Sequence, residues 1–257
     1  MKKIFGHSTD QDWEKYGAHD PYYGVVTNDI YKKENLTKEN KDKFFKSGED
    51  YIEHVFSNIK QLFGDDFSPV RTLDFGCGVG RLSIPLARRS KYVVGLDISP
   101  SMLKEAKTNC DVYDIHNIKF MKSNNAFQRW NEKFDLIHSF IVFQHIPIKY
   151  GEKIFKTLLG YLNDEGVGVF HFTYSTVLYG FKKNFVRWVK EKFPFMHNIS
   201  NIIKARSFSA PRMQMNSYNL NLILYFIQKN NVLSFYTEFT NDNGALGVII
   251  YFKKNGK

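Results

Sequence analysis

Sulfur, export signals and long apolar runs are all scarce in this 257-residue chain. Only two cysteines occur, Cys77 and Cys110, and one sits in a glycine loop where a crosslink would hinder function. Two are too few for a disulfide framework, so a reducing, cytoplasmic setting is expected. Met1-Lys2-Lys3 is followed only by Ile4-Phe5 before Gly6, His7 and Asp10, which leaves no apolar core for a signal peptide. The stretch from Leu220 to Ile227, interrupted by Asn221, is far shorter than the roughly 20 residues that span a bilayer. Acidic residues are outnumbered: 26 Asp and Glu face 36 Lys and Arg, a net charge of +10. A positive surface attracts phosphates, anionic substrates, nucleic acid or acidic lipid without choosing among them. There is no internal repeat, and no His, Cys and carboxylate cluster has metal-ligand spacing; Asp135 precedes its strand and so falls at the wrong end of a sheet. Metal-dependent catechol-type chemistry is disfavoured.

What is abundant is core material. Hydrophobic residues make up 43% and aromatics 16%, with 24 Phe and 15 Tyr, which excludes disordered, collagen-like and low-complexity classes. The length suits one core with embellishments. Residues 1–43 are polar and aromatic without sustained periodicity and are expected to form an N-terminal cap, with a short helix near Asp12–Tyr16. From Phe45, apolar residues at Ile52, Val55, Phe56, Ile59, Leu62 and Phe63 mark an amphipathic helix ending at Gly64.

Residues 44–257 then form the main domain. Strands are expected at Arg71–Phe75, Tyr92–Asp97, Ile118–Met121, Phe134–Phe140 and Gly166–Thr173, with helices near Arg81–Arg89, Pro100–Asn109 and Tyr150–Leu162. Such alternation implies right-handed crossovers and a doubly wound, mostly parallel α/β sheet. A helix near Tyr218–Gln228 and strands Val232–Thr240 and Leu246–Phe252 follow, the strands joined by Asn241-Asp242-Asn243-Gly244. That tight turn makes one of the last two strands antiparallel to the rest.

The strand at Arg71 runs into Asp74-Phe75-Gly76-Cys77-Gly78-Val79-Gly80, and Asp97 ends the next strand 21 residues after Gly76. Gly76, Gly78 and Gly80 permit a sharp turn and close approach of a ligand, and Asp97 stands where a carboxylate grips ribose hydroxyls. The nicotinamide fingerprint wants glycine at the sixth loop position, where Arg81 stands. A nucleoside cofactor without a pyrophosphate fits better.

At these residues the chain resembles the class I S-adenosylmethionine-dependent methyltransferases: Leu73 to Leu82 is similar to their first motif and Gly95-Leu96-Asp97-Ile98-Ser99 to the segment after it. The resemblance covers residues 70–174 firmly and 216–253 loosely. It implies a seven-stranded sheet with one antiparallel strand near the C-terminus. It also implies S-adenosyl-L-methionine as cofactor, loop glycines against it, Asp74 at its methionine end, Asp97 on the ribose, and Ile98 and Met102 beside the adenine. Asn124 either accepts from the adenine amino group or caps a turn. Phe134 to Pro147 resembles the Gln-His-Ile-Pro variant of the family's fourth motif, which places Ser139 near the cofactor and Phe140 and Gln144 near the acceptor. His145 is the candidate base, since imidazole titrates near neutrality and a neutral hydroxyl must lose a proton; the alternative is that His145 and Pro147 only shape the loop. His138 and His171, inside strands, are expected to pack or donate one hydrogen bond.

Segments His19–Thr27 and Met213–Tyr218 resemble a subset of bacterial methyltransferases of surface-glycan and capsule pathways, some acting on phosphoramidate-decorated precursors. In that reading Tyr22 and Tyr23 face the substrate and exclude water; the alternative is that they staple the tail to the domain. Asp20-Pro21-Tyr22-Tyr23 also resembles the motif of permuted DNA methyltransferases. The polar run Asp10–Lys15 cannot be the strand that such a motif needs, so no DNA partner is expected.

A basic insertion spans residues 175–215. Between Lys182 and Arg212 eight basic residues face one acid, Glu191, and Phe181, Phe185, Trp188 and Val189 share one helical face. Residues 181–192 thus suit a membrane surface, an acidic partner or a lid, while Arg206 and Arg212 are the candidates for phosphate contact. The leading expectation is a methyltransferase for O or N of a small, phosphorylated or nucleotide-linked metabolite. Its rivals are an RNA methyltransferase, which lacks a recognisable RNA module here, and a cofactor-binding regulatory protein without turnover.

Overall fold

The computed structural model describes residues 9–64, 66–123, 132–176, 211, 213–242 and 244–256. Helices α1 (Thr9–His19) and α2 (Pro21–Val25) and two 3₁₀ turns, Asp29–Tyr31 and Lys33–Asn35, lead into the long helix α3 (Lys38–Phe63). Thr37 caps α3 by accepting from Asn40 N, and Gly64 ends it at φ 105°. The expected boundary after residue 43 therefore falls inside a helix: the cap signal at Thr37, not the first apolar residue, sets where α3 begins.

The sheet has seven strands: β1 (Arg71–Phe75), β2 (Tyr92–Asp97), β3 (Ile118–Lys122), β4 (Phe134–Ser139), β5 (Leu162–Ser175), β6 (Phe235–Asp242) and β7 (Ala245–Lys253). Their order is β3-β2-β1-β4-β5-β7-β6. The first five are mutually parallel, with Leu73 opposite Val94 and Ile137 opposite Gly168. β7 runs antiparallel to β5, Phe170 facing Ile250, and β6 antiparallel to β7. The expected hairpin is present, and β7 is its reversed strand. Gly244 donates to Asn241 Oδ1 and takes φ 97° at the turn.

Alternation along the strands sorts the core into two layers. Leu73, Phe75 and Ile137 join Phe155, Phe170, Ile223 and Phe252 on one face, where α6 (Ile148–Tyr161) and α7 (Leu220–Lys229) pack. Val93, Leu136, Val169 and Tyr251 join Ile52, Val55 and Leu86 on the other, beneath α3 and α4 (Ser83–Ala87). A third cluster binds the cap: Tyr22, Tyr31, Phe44 and Phe45 pack with Val79, Ile84 and Met102 of α5 (Pro100–Val112). Among the described residues no helix is long and apolar enough to cross a membrane.

Candidate functional site

The carboxyl ends of β1, β2 and β4 open on a cavity of about 680 Å³, within the range of small-molecule sites. β1 delivers Gly76 and Cys77, whose amides both donate to Leu96 O at 2.7 and 3.0 Å, so the loop turns tightly against β2. Gly76 has φ 80°, and a Cβ there would lie 2.2 Å from Val142 Cγ2. Gly78 has φ 52°, and its Cβ would lie 2.7 Å from Val25 of the cap. Both line the cavity; Gly80 does not, being turned toward Ala106 of α5.

Asp97 is held by the same backbone. Its Oδ2 accepts from Gly78 N and its Oδ1 from Ser99 N, each at 2.9 Å. Burial pushes its pKa up to about 6, against the pull of the amides of Ser99, Gly78 and Ile98. Ile98 and Met102 line the cavity beside it. This corner offers a half-buried carboxylate, an apolar wall and open backbone, the set that a nucleoside needs.

Asp74 also lines the cavity, but both its oxygens are engaged: Ser83 Oγ donates to one at 2.6 Å and His138 Nδ1 lies 3.1 Å from the other. His138, expected to pack or to donate one hydrogen bond, is fully buried and bridges Asp74 to the Tyr51 hydroxyl, 3.3 Å from its Nε2. Ser139 is a correction: its Oγ donates to Phe75 O at 3.0 Å, tying β4 to β1, and it does not line the cavity.

Beyond Ser139 the chain leaves the sheet through Phe140, Ile141 and Val142 into a 3₁₀ turn, Phe143–His145. Ile141 has φ 57°, a conformation that costs a β-branched residue about 1–3 kcal/mol and that is retained here on the cavity wall. Phe140 lines the cavity with its ring 4.2 Å from that of Tyr51. His145 lines it too, under the edge of Trp13 at 5.0 Å. Its Nδ1 lies 2.7 Å from Gln214 O, which fixes the proton on Nδ1 and leaves the Nε2 lone pair facing the Gln144 amide nitrogen at 3.2 Å. Burial pushes its pKa down to about 4. Gln144 is itself oriented, since its Oε1 accepts from Thr173 Oγ1 on β5. A strap at residues 213–218 laces this turn in place: Asn216 N donates to Gln144 O at 2.6 Å and the Tyr218 hydroxyl to Ile146 O at 2.9 Å.

The cap completes the walls with Thr9, Asp10 and Trp13 of α1 and residues 24–28. Glu14 clasps α1 to the start of α5, accepting from Ser99 Oγ and Ser101 Oγ at 2.6 Å each and from Ser101 N at 3.2 Å. Burial opposes ionisation there, yet the serine hydrogen bonds hold the carboxyl below its usual value. Tyr22 and Tyr23 are the second correction to the substrate-facing reading, for neither lines the cavity, and for Tyr22 the stapling alternative holds. Tyr22 is 3% exposed, wedged between Phe44 and Phe45, with its hydroxyl 2.6 Å from Glu105 and 2.9 Å from Asn109 Oδ1. Tyr23 lies under Lys32 Nζ, 5.4 Å from its ring centre. Asn124, Arg206, Arg212 and residues 181–192 lie outside the described residues. Residues that the sequence reading missed are Thr173 and the α1 positions Thr9 and Asp10.

Residues 72–166 match a family described as a methyltransferase domain. Over nearly the whole chain the fold is similar to magnesium protoporphyrin IX methyltransferase ChlM from Synechocystis PCC 6803 with bound SAH, at 19% identity and TM-score 0.61, covering 94% of this chain and 98% of that one. It is also similar to the N-methyltransferase NodS from Bradyrhizobium japonicum WM9 in complex with S-adenosyl-L-homocysteine, at 13% identity and TM-score 0.58, covering 97% and 100%. Among curated proteins, the 23S rRNA (uracil(1939)-C(5))-methyltransferase RlmD of Vibrio parahaemolyticus is 38% identical over 78 residues, 28% of this chain and 18% of that protein. The chain thus spans less than a fifth of the length of the curated relatives it matches.

Proposed function

We propose that this chain, whose residues 72–166 match a methyltransferase-domain family, transfers a methyl group from S-adenosylmethionine to an oxygen or nitrogen of a small anionic acceptor. The observation that carries the cofactor reading is Asp97, fixed by Gly78 N and Ser99 N at the foot of a positive-φ glycine loop, with Ile98 and Met102 beside it. Two carboxylate oxygens in that position accept from the two hydroxyls of a ribose, and the apolar side chains flank a base. When bound, the cofactor supplies a methyl carbon that an acceptor lone pair can attack as the carbon–sulfur bonding pair returns to sulfur. The chain's own task is to align the acceptor and exclude water. Trp13, Phe140, Val142, Met213 and Met215 supply the apolar walls, and Gln144 and His145 the polar atoms on the acceptor side.

His145 Nε2 is the proton-accepting atom of that wall. It serves as a base for a neutral acceptor, but a conjugate acid near 4 makes it a weak one at neutral pH. An acceptor that already carries negative charge needs no such transfer, and the excess of ten basic residues favours it. Within that class, the resemblance of segments 19–27 and 213–218 to capsule-pathway methyltransferases favours a phosphorylated or nucleotide-linked precursor. A second reading, RNA methylation, is favoured by the local similarity to RlmD.

Calorimetry with S-adenosylhomocysteine tests the cofactor, and transfer of labelled methyl to a panel of capsule precursors, phosphorylated metabolites and RNA tests the acceptor. Binding together with label in the small-molecule fractions is the expected result. Label in RNA alone would transfer the assignment to the second reading, and binding without turnover on any acceptor would favour a regulatory cofactor-binding protein.

A further inference from the structure

The two edges of the sheet are built differently. β3, at one edge, carries Lys119 and Lys122 within its five residues, and lysine on an edge discourages pairing with another chain. β6, at the other, reads Phe235-Tyr236-Thr237-Glu238-Phe239-Thr240-Asn241-Asp242, with neither lysine nor proline. No bulge breaks it: its eight residues run in unshifted register against β7, from Phe235 opposite Phe252 to Asp242 opposite Ala245. Glu238, the charge at its middle, is answered within the chain by His54, Asn58 and Tyr251. Among the described residues no strand pairs with its outer side.

The same edge gathers exposed apolar side chains. Among the described residues ten large ones are exposed, and five of these lie between positions 225 and 239: Tyr225, Leu233, Phe235, Tyr236 and Phe239, the last at 80% exposure. At roughly 200 Å² per side chain, the exposed parts of Leu233, Phe235, Tyr236 and Phe239 come to about 500 Å² in each copy. Two copies would bury about 1,000 Å², the lower limit for a specific interface.

An open edge offers a row of backbone donors and acceptors, and a second strand is what satisfies such a row. The order of side chains on β6 shows which strand fits. Around Thr237 it is symmetric: Phe235 and Phe239 flank it on one face of the sheet, and Tyr236 and Glu238 on the other. In an antiparallel pair of β6 strands with the two-fold axis at Thr237, each Phe235 lies opposite Phe239 of the other copy, each Tyr236 opposite Glu238, and Thr237 opposite itself. Aromatic pairs and threonine pairs are among the stabilising cross-strand pairs, and no acid meets an acid. Centring on Glu238 would set two carboxylates against each other. Centring on Phe239 would leave Phe235 without an aromatic opposite it.

We propose that the chain forms a two-fold dimer in which two β6 strands pair antiparallel about Thr237, joining two seven-stranded sheets into one. The proposal stands on the strand and is independent of the reaction assigned above.

Sedimentation equilibrium of the full chain at about 0.15 M salt tests it. The parent should show a monomer–dimer equilibrium with a Kd of about 1–100 μM, as suits an interface at the small end of the range. A parent that stays monomeric at about 500 μM leaves the edge to a strand of another protein and overturns the proposal. Phe235→Glu and Phe239→Lys should each weaken the dimer at least about tenfold, since the two-fold axis makes every substitution count twice. An equimolar mixture of these two variants should associate at least about tenfold more tightly than either alone, because the introduced carboxylate then faces the introduced ammonium across one pair while Phe235 faces Phe239 across the other. Undiminished association in Phe239→Lys, or a mixture no tighter than its components, overturns the proposal. Should either variant fail to fold, Thr237→Lys sets two like charges against each other at the axis; it should weaken the dimer at least about tenfold, and an unchanged Kd overturns the proposal.

Discussion

The two sides of the cavity are built on different principles. The cofactor side is local: the loop Gly76–Gly80 and Asp97 come from consecutive strands, and the groups that fix them are backbone amides. The side proposed for the acceptor is assembled from Trp13, Gln144, His145, Thr173 and residues 213–216, whose mutual positions depend on ring contacts and hydrogen bonds between distant segments. A site made from backbone is sensitive to glycine geometry and to one acid. A site made from side chains is sensitive to each partner separately and tolerates the loss of any one of them better.

The largest effect that would break this contrast is expected at Gly76. Gly76→Ala forces a Cβ into the left-handed region and onto Val142, costing about 2–5 kcal/mol in stability and abolishing measurable S-adenosylhomocysteine binding. Melting curves and calorimetry read both losses. If binding survives at parental strength, the loop is not the cofactor's floor.

Next comes acid sensitivity, which belongs to the acceptor side. His145 and His171 are both buried, with pKa values pushed down to about 4 by burial, His145 adding to the effect on His171. The unfolded chain binds their protons from about pH 6.5 downward while the folded chain resists until about pH 4, so stability falls as pH falls through this window, by up to about 3 kcal/mol per histidine. Asp97 acts with the opposite sign between about pH 4 and 6, because its folded pKa is raised. The histidine effect is therefore cleanest in Asp97→Asn, and His171→Gln in that background should remove about half of it. A pH-independent unfolding midpoint between 4 and 6.5 would contradict the burial of both rings.

Asp97→Ala should weaken S-adenosylhomocysteine by about 1–3 kcal/mol through lost charge-assisted hydrogen bonds. In the parent, affinity should fall as pH drops below about 6, approaching tenfold per unit, because the ribose hydroxyls need the ionised carboxylate. An affinity flat from pH 7 to 4.5 removes Asp97 from the ribose. His145→Ala should leave that affinity intact and lower turnover about 10- to 100-fold on a neutral acceptor, with almost no loss on an anionic one. Concerted loss of binding would instead make His145 part of the cofactor side.

The smallest effect separates the cap's staple from its wall. Tyr22→Phe removes a hydroxyl bonded to Glu105 and should cost about 1 kcal/mol of stability with unchanged kcat and KM. A selective rise in KM would return Tyr22 to the acceptor.

The strands and the glycine loop were legible because their signals are local. Apolar alternation and turn residues placed β1, β2 and β7 within a residue of their ends, and spacing alone joined Asp97 to the loop. For Tyr22 the sequence left substrate wall and staple open, because an aromatic in an aperiodic segment carries no sign of which way it points; its direction comes from Phe44 and Phe45 on α3. Ser139 failed for a related reason: a hydroxyl at a strand end can satisfy a neighbouring carbonyl or a ligand, and the close approach of β1 decided it. Thr173 and Gln144 are 29 positions apart, and their pairing follows from the β4–β5 register. That Arg81 is buried with its Nε unpartnered is likewise a tertiary fact, since a sequence shows a charge but not what surrounds it.

Ser99 does two things at once: its amide holds Asp97, and its hydroxyl holds Glu14 of the cap. A ligand seated on Asp97 therefore shares a residue with the clasp that keeps α1 on the cavity wall. A change at Ser99 therefore reaches both the carboxylate of the cavity floor and the seating of the first helix.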